Sequence, residues 1–262
     1  MKRLNISFFI AILLLSGCSK VADESYEELI LGTWLNTHVN ETAVETDAAY
    51  VMEFREGGIE FYSTGYQIDE NNRKWIDGTQ FSYSFNNNQL VITGTNSFDA
   101  FFEMVFVLEY ISKTKYIYKV GSFKINGIDY PDDKVYTCTR VSTDLKSSIT
   151  GTWYGKSTEA GSADTAFHYW QYFDNGSYDY FYRDEEGNWI NKPDNEGKYY
   201  LYGNHLATNF TNDLISGGTG LAYECWEVSI NGITMNWTGR RSGGRIASYS
   251  MQRVSAPPIS GQ

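Results

Sequence analysis

From residue 32 onward, apolar and polar residues alternate with a period of two rather than 3.6. Tyr178-Asp179-Tyr180-Phe181-Tyr182-Arg183 and Phe81-Ser82-Tyr83-Ser84-Phe85 place alternate side chains on one face, the pattern of half-buried strands. Turn chemistry separates these runs: Glu56-Gly57-Gly58, Asn86-Asn87-Asn88, Asp174-Asn175-Gly176 and Asn231-Gly232 all suit hairpins. The pattern predicts eight strands near 32–39, 50–56, 59–66, 79–86, 89–94, 99–111, 114–121 and 134–141. A second set of eight follows near 151–157, 165–173, 177–183, 196–202, 205–209, 221–230, 233–239 and 246–254. Eight strands joined in order by short turns predict a meander closed into a barrel, which leaves no exposed sheet edge. A two-sheet sandwich is the alternative.

The two sets are one unit written twice. Gly32-Thr33-Trp34 recurs as Gly151-Thr152-Trp153, and Tyr136 to Val141 resembles Tyr249 to Val254. At the offset of the first pair, Phe54, Gly57 and Phe61 fall on Phe173, Gly176 and Tyr180; later, Trp75-Ile76 matches Trp189-Ile190. Matched openings, middles and endings in the same order indicate internal duplication, with about 115 residues per copy. Each copy opens on a short helical pattern. Ser25 and Asp144 stand at N-cap positions, and Ser25 with Glu28 has capping-box spacing.

Residues 1–17 read differently. Lys2 and Arg3 precede an apolar stretch, Ile6 to Leu15, which at about half the length of a bilayer span fits the core of an export signal. Leu15-Ser16-Gly17-Cys18 resembles a bacterial lipobox. The resemblance implies cleavage before Cys18, a diacylglycerol on its sulfur and a fatty acyl group on the new amine. Several acyl chains anchor far more firmly than one, because each buried methylene adds about 0.8 kcal/mol. The expected organisation is therefore a signal at 1–17, a lipidated tether at 18–24, one unit at 25–141, a second at 142–254 with its linker at 142–149, and a disordered tail at 255–262. Position 19 is Ser rather than Asp, which favours an outer-membrane address; the sequence leaves open which side of that membrane the chain faces.

Composition narrows the function classes. The chain carries 21 basic and 32 acidic residues, a formal charge of −11, which argues against nucleic-acid binding. Its 43 aromatic residues (7 Trp, 21 Tyr, 15 Phe) supply ample core. The short helical turn, the Gly-Thr-Trp opening the first strand and an Arg in the last strand together resemble the lipocalin pattern. The tandem arrangement behind a lipobox is similar to lipocalin-like lipoproteins of Gram-negative bacteria. The resemblance implies two structural pairs in which a guanidinium covers an indole: Trp34 with Arg140, and Trp153 with Arg253.

Candidate chemistry is sparse. His38, His168 and His205 stand apart, without the spacing of a zinc site, and are expected to be exposed or hydrogen-bonded. Cys138 and Cys225 are expected to be buried free thiols. No nucleophile elbow or phosphate loop appears, and the acidic runs at Asp69-Glu70, Asp132-Asp133 and Asp184 to Glu186 sit beside turn residues. No catalytic, metal or cofactor site is therefore assigned, and the expected protein is not an enzyme. The aromatics differ between copies: Ile59, Phe61 and Ser63 align with Tyr178, Tyr180 and Tyr182. Three phenols on one inward face would line a polar cavity, so these tyrosines are the candidate site for a small hydrophobic or amphipathic ligand. Two alternatives stand: glycan binding on exposed Trp170 or Trp189, and a scaffold whose filled barrels present loops to unknown protein partners.

Overall fold

The computed structural model describes residues 24–69, 72–95, 99–159, 165–191, 197–212 and 220–258. Cys18 and its tether to residue 23 therefore lie outside the described residues, as do 259–262. The first unit comprises β1 (Gly32–Val39), β2 (Thr42–Ala43), β3 (Tyr50–Arg55), β4 (Ile59–Asp69), β5 (Asn72–Asn86), β6 (Gln89–Thr95), β7 (Phe101–Ile111), β8 (Lys115–Ile125), β9 (Ile128–Asp129) and β10 (Val135–Arg140). Neighbouring long strands pair antiparallel, and β10 bonds to both β1 and β8, closing eight strands into a barrel. All eight expected strands of the first unit are present, within a few residues except at β5, which begins earlier, and β8, which runs further.

The second unit departs from expectation. It holds β11 (Gly151–Ser157), β12 (His168–Tyr172), β13 (Tyr178–Arg183), β14 (Trp189–Asn191), β15 (Tyr199–Tyr202), β16 (His205–Asn212), β17 (Gly220–Asn231), β18 (Thr234–Arg240) and β19 (Ile246–Val254). These form one curled nine-stranded sheet, a half-barrel, in the order β14-β13-β12-β11-β19-β18-β17-β16-β15. Among the described residues its ends are joined by one backbone bridge, Ser177–Lys198, with Tyr178 N–H donating to Gly197 at 2.6 Å and Tyr199 N–H to Gly176 at 2.8 Å. In the first barrel the long β5 runs along β4; in the second, β14 takes the edge of β13 and β15 joins only β16 as a strand.

The duplicated residues build the same bracket twice. Before β1 comes α1 (Tyr26–Ile30), with a complete Ser25/Glu28 capping box; before β11 comes α2 (Lys146–Ile149). Asp144 is not the N-cap of α2: that position is Leu145, and Asp144 instead accepts from the Lys146 N–H at 2.9 Å. Trp34 Nε1 donates to the Ile30 carbonyl at 2.6 Å and Trp153 Nε1 to Ile149 at 2.7 Å. Arg140 covers the Trp34 ring at 4.1 Å and Arg253 covers Trp153 at 4.2 Å. Each guanidinium also donates to carbonyls ending the helical turn, Leu29 and Leu31 in one copy, Ser148 and Thr150 in the other. Gly32 and Gly151 have φ of +110° and +121°, and a Cβ on either would occupy the guanidinium's place. That is why glycine opens each Gly-Thr-Trp.

The strand register corrects the alignment of the copies. Trp34 pairs with Met52 and Met52 with Tyr62, whereas Trp153 pairs with Trp170 and Trp170 with Tyr180. The β1–β3 span is thus one residue longer than its counterpart, and Tyr178, Tyr180 and Tyr182 correspond to Glu60, Tyr62 and Thr64. Ile59, Phe61 and Ser63 face outward; Arg55 lies over the outer ring of Phe61 at 4.3 Å.

A 3₁₀ turn of the first unit, Thr46–Ala48, joins it to the second. It sits where β17 and β18 cease to pair. Asp47 accepts from the Cys225 N–H at 2.7 Å and forms an ion pair with Arg241, while Thr46 Oγ1 accepts from the Arg240 N–H at 2.7 Å. Arg241 also covers Trp226 at 4.2 Å, tying this turn to the core of the half-barrel. Replacing Asp47 with Ala strands a backbone donor and a largely buried guanidinium. We expect a loss of about 2–4 kcal/mol, and separate unfolding of the two units in denaturant. A single, unshifted transition would show that the turn does not couple them.

Candidate functional site

The described core of the first barrel is densely aromatic. Phe106 stacks on Tyr118 at 4.0 Å, Trp34 meets Tyr116 at 4.8 Å, and Phe81 meets Phe102 at 4.6 Å. Cys138 is a free thiol in this core, with its pKa pushed up to about 12 by burial; Cys225 is also free and buried. Glu60 is the outlier. It is 1% exposed on the inward face of β4, its Oε2 has no partner, and burial raises its pKa to about 8.

The open end of the half-barrel holds a cavity of about 630 Å³ lined by Tyr154, Ala166, Phe167, His168, Tyr180, Tyr182 and Arg183. Alternation along β12 and β13 brings His168, Tyr180 and Tyr182 to the inner side. The Tyr180 hydroxyl and His168 Nδ1 are 2.9 Å apart, and the Tyr180 and Tyr182 rings stack at 6.1 Å. Beneath them lie Trp170 and Trp237, 5.0 Å apart in the core. Among the described residues the lining is aromatic with phenol, imidazole and guanidinium groups and includes no carboxylate. Such a surface suits an apolar body carrying a hydrogen-bond acceptor or a negative charge.

Two of the three candidate tyrosines therefore meet in one cavity. Tyr178 does not join them: it is buried deeper, and its hydroxyl donates to the Asn209 carbonyl at 2.8 Å. His168, treated as isolated on sequence grounds, belongs to the site, because pairing of β12 with β13 sets it beside Tyr180. Arg183 and Phe167 were also missed, since strand ends carry no periodic signal.

Trp170 is 7% exposed and packed in the core, so it offers no stacking platform. Trp189 lies on the outer face of the sheet, 4.9 Å from Tyr169 and under Arg183 at 4.8 Å. Tyr154 extends this outer group, 4.4 Å from Tyr169 and stacked on Phe167 at 5.0 Å. His205, expected to be exposed or hydrogen-bonded, is 2% exposed with no partner for Nε2. Its burial comes from the junction between the units, which its hairpin position does not reveal. Among the described residues no group of three or more His, Cys, Asp or Glu is placed to hold a metal ion. Compared with known proteins, the chain matches no family model and no curated protein sequence.

Proposed function

We propose that the chain is a non-enzymatic binding protein, tethered to the outer membrane by lipid on Cys18, that holds a small amphipathic ligand at the open end of its second unit. The observation carrying this reading is the cavity whose wall joins Tyr180, His168, Tyr182 and Arg183. The tandem barrel and half-barrel behind a lipobox-like segment, each with its Trp–Arg bracket, support kinship with lipocalin-like lipoproteins. The ligand chemistry follows from the lining: rings for an apolar body, and donors for an acidic or carbonyl end. The test is thermal unfolding in the presence of fatty acids and bile acids. A ligand at 100 times its dissociation constant stabilises by about 2.7 kcal/mol. That shift should vanish in Tyr180→Ala; a shift that survives would place the ligand elsewhere.

The outer aromatic group supports a second reading, glycan stacking on Trp189 and Tyr169. Under that reading Trp189→Ala abolishes stabilisation by oligosaccharides, and Tyr180→Ala does not.

A further inference from the structure

A second cavity, of about 500 Å³, lies where the two units meet. One wall is the outer face of β1 and β10 with the linker beyond β10; the other is the outer face of β16, β17 and β18. The linker runs close over the β15–β16 hairpin, where Gly203 has φ of +63° and a Cβ would meet Val141 Cγ1 at 2.5 Å. The Asp47 turn holds the two units together beside this cleft.

Its polar groups form a row across the strands. His205 is the direct cross-strand neighbour of Glu227, and Glu227 of Thr238. Arg240 lies two residues further along β18 on the same face, just beyond the end of the β17–β18 pairing, where its N–H donates to Thr46 Oγ1. Leu206 packs into the core, so His205 faces the other way, toward the cleft. Three features stand out. First, His205 Nε2 is buried without a hydrogen-bond partner, which in a folded protein calls for a bound molecule or water. Second, Glu227 is held in place by Asn204 Nδ2 at 2.9 Å. Third, among the described residues no ion pair joins Glu227 to Arg240, although both line one cleft. Opposite charges left apart in one cleft match a molecule bearing both charges.

We propose that this cleft is a second binding site, for a small α-amino zwitterion, whose ammonium group pairs with Glu227 and His205 and whose carboxylate pairs with Arg240. Free amino acids and short peptides share this chemistry, and the hydroxyls of Thr37 and Thr238 in the same lining suit their remaining polar atoms. The site shares no lining residue with the cavity at the open end of the half-barrel, so it stands whether or not that cavity is the main binding site.

Calorimetric titration of the full chain with L-alanine and with L-alanyl-L-alanine tests the proposal, the two arms separating amino acid from peptide. Saturable binding at one site per chain is expected for at least one of them. Glu227→Gln, Arg240→Met and N-acetylation of the bound compound should each weaken it at least about tenfold. Both replaced side chains are exposed, so the unfolding midpoints should match the parent chain. Tyr180→Ala should leave this binding unchanged. The proposal is overturned by no binding of either compound up to about 10 mM. It is equally overturned by undiminished binding in either charge variant, or by loss of binding in Tyr180→Ala.

Discussion

Glu60→Met is expected to remove a pH dependence of about 5 kcal/mol from the stability of the first barrel. Glu60 sits inside that barrel, with Phe54 and Phe81 as its direct neighbours on the flanking strands. Burial raises its pKa from 4.5 to about 8, with no compensating cation among the described residues. In the unfolded chain the carboxyl loses its proton near the ordinary value; in the folded barrel it keeps the proton until about 8. Between those limits the folded state binds more protons, so stability falls as pH rises, by about 1.4 kcal/mol per pH unit. The contribution is complete below pH 4.5 and exhausted above about 8, giving the total near 5 kcal/mol. Methionine fills similar space without a titrating group or an orphaned oxygen. Its denaturation curve should therefore be nearly flat in this window and should overtake the parent chain at high pH. Denaturant unfolding at pH 5, 7 and 9 decides the matter: a parent chain with no slope would mean that Glu60 has a partner.

The same position in the half-barrel shows the other solution to a polar residue in a barrel wall. Tyr178 corresponds to Glu60, and its neutral hydroxyl donates to Asn209. A phenol brings apolar bulk and one satisfiable hydroxyl, whereas a carboxyl brings an oxygen left unpartnered here. The comparison depends on the correct register, which was hidden in the sequence. Sliding the copies by one residue still matches aromatic with aromatic, Phe54 with Phe173 or with Tyr172, and Phe61 or Tyr62 with Tyr180. Only hydrogen-bonded pairing distinguishes the two, because strand parity inverts every side chain on a one-residue slip.

Strand positions were legible because alternation and turn residues are local properties. The inward orientation of Tyr178, Tyr180 and Tyr182 was not: it rested on alignment with Ile59, Phe61 and Ser63, which face outward, and alternation does not say which of its two faces is the inner one. Closure was not, because hydrophobic periodicity is silent on pairing between distant strands such as β13 and β15. Nor could the environment of His205 be read, since the linker and the other unit create it. His168 illustrates the limit most directly. A lone histidine on a strand has an unremarkable sequence context, yet its place two strands into the sheet puts Nδ1 against Tyr180.

Trp153→Ala is expected to cost about 3–5 kcal/mol, the range for deleting a large buried aromatic side chain. Trp34→Ala should cost a similar amount, because the two indoles have the same surroundings. Each is fully buried, each donates to the carbonyl of the helical turn four residues earlier, and each lies under an arginine from the last strand of its unit. The bracket thus ties first strand, last strand and preceding helix together, three segments that the chain order keeps apart. Its parts act on each other, so their losses should not add. With the indole gone, the arginine keeps its carbonyl partners but loses the ring beneath it, a contact worth about 0.5–2 kcal/mol. A double-mutant cycle of Trp153→Ala with Arg253→Met should therefore show coupling of at least about 1 kcal/mol. The half-barrel gives this bracket greater consequence than the closed barrel does. Among the described residues its sheet ends share a single backbone bridge, so the seam of β11 with β19 carries more of the burden of holding its curl. Trp153→Ala should accordingly increase amide exchange along β11 and β19 beyond the change that Trp34→Ala produces along β1 and β10. Equal exchange in both copies would show that closure of the barrel, rather than the bracket, makes no difference to how the seam is held.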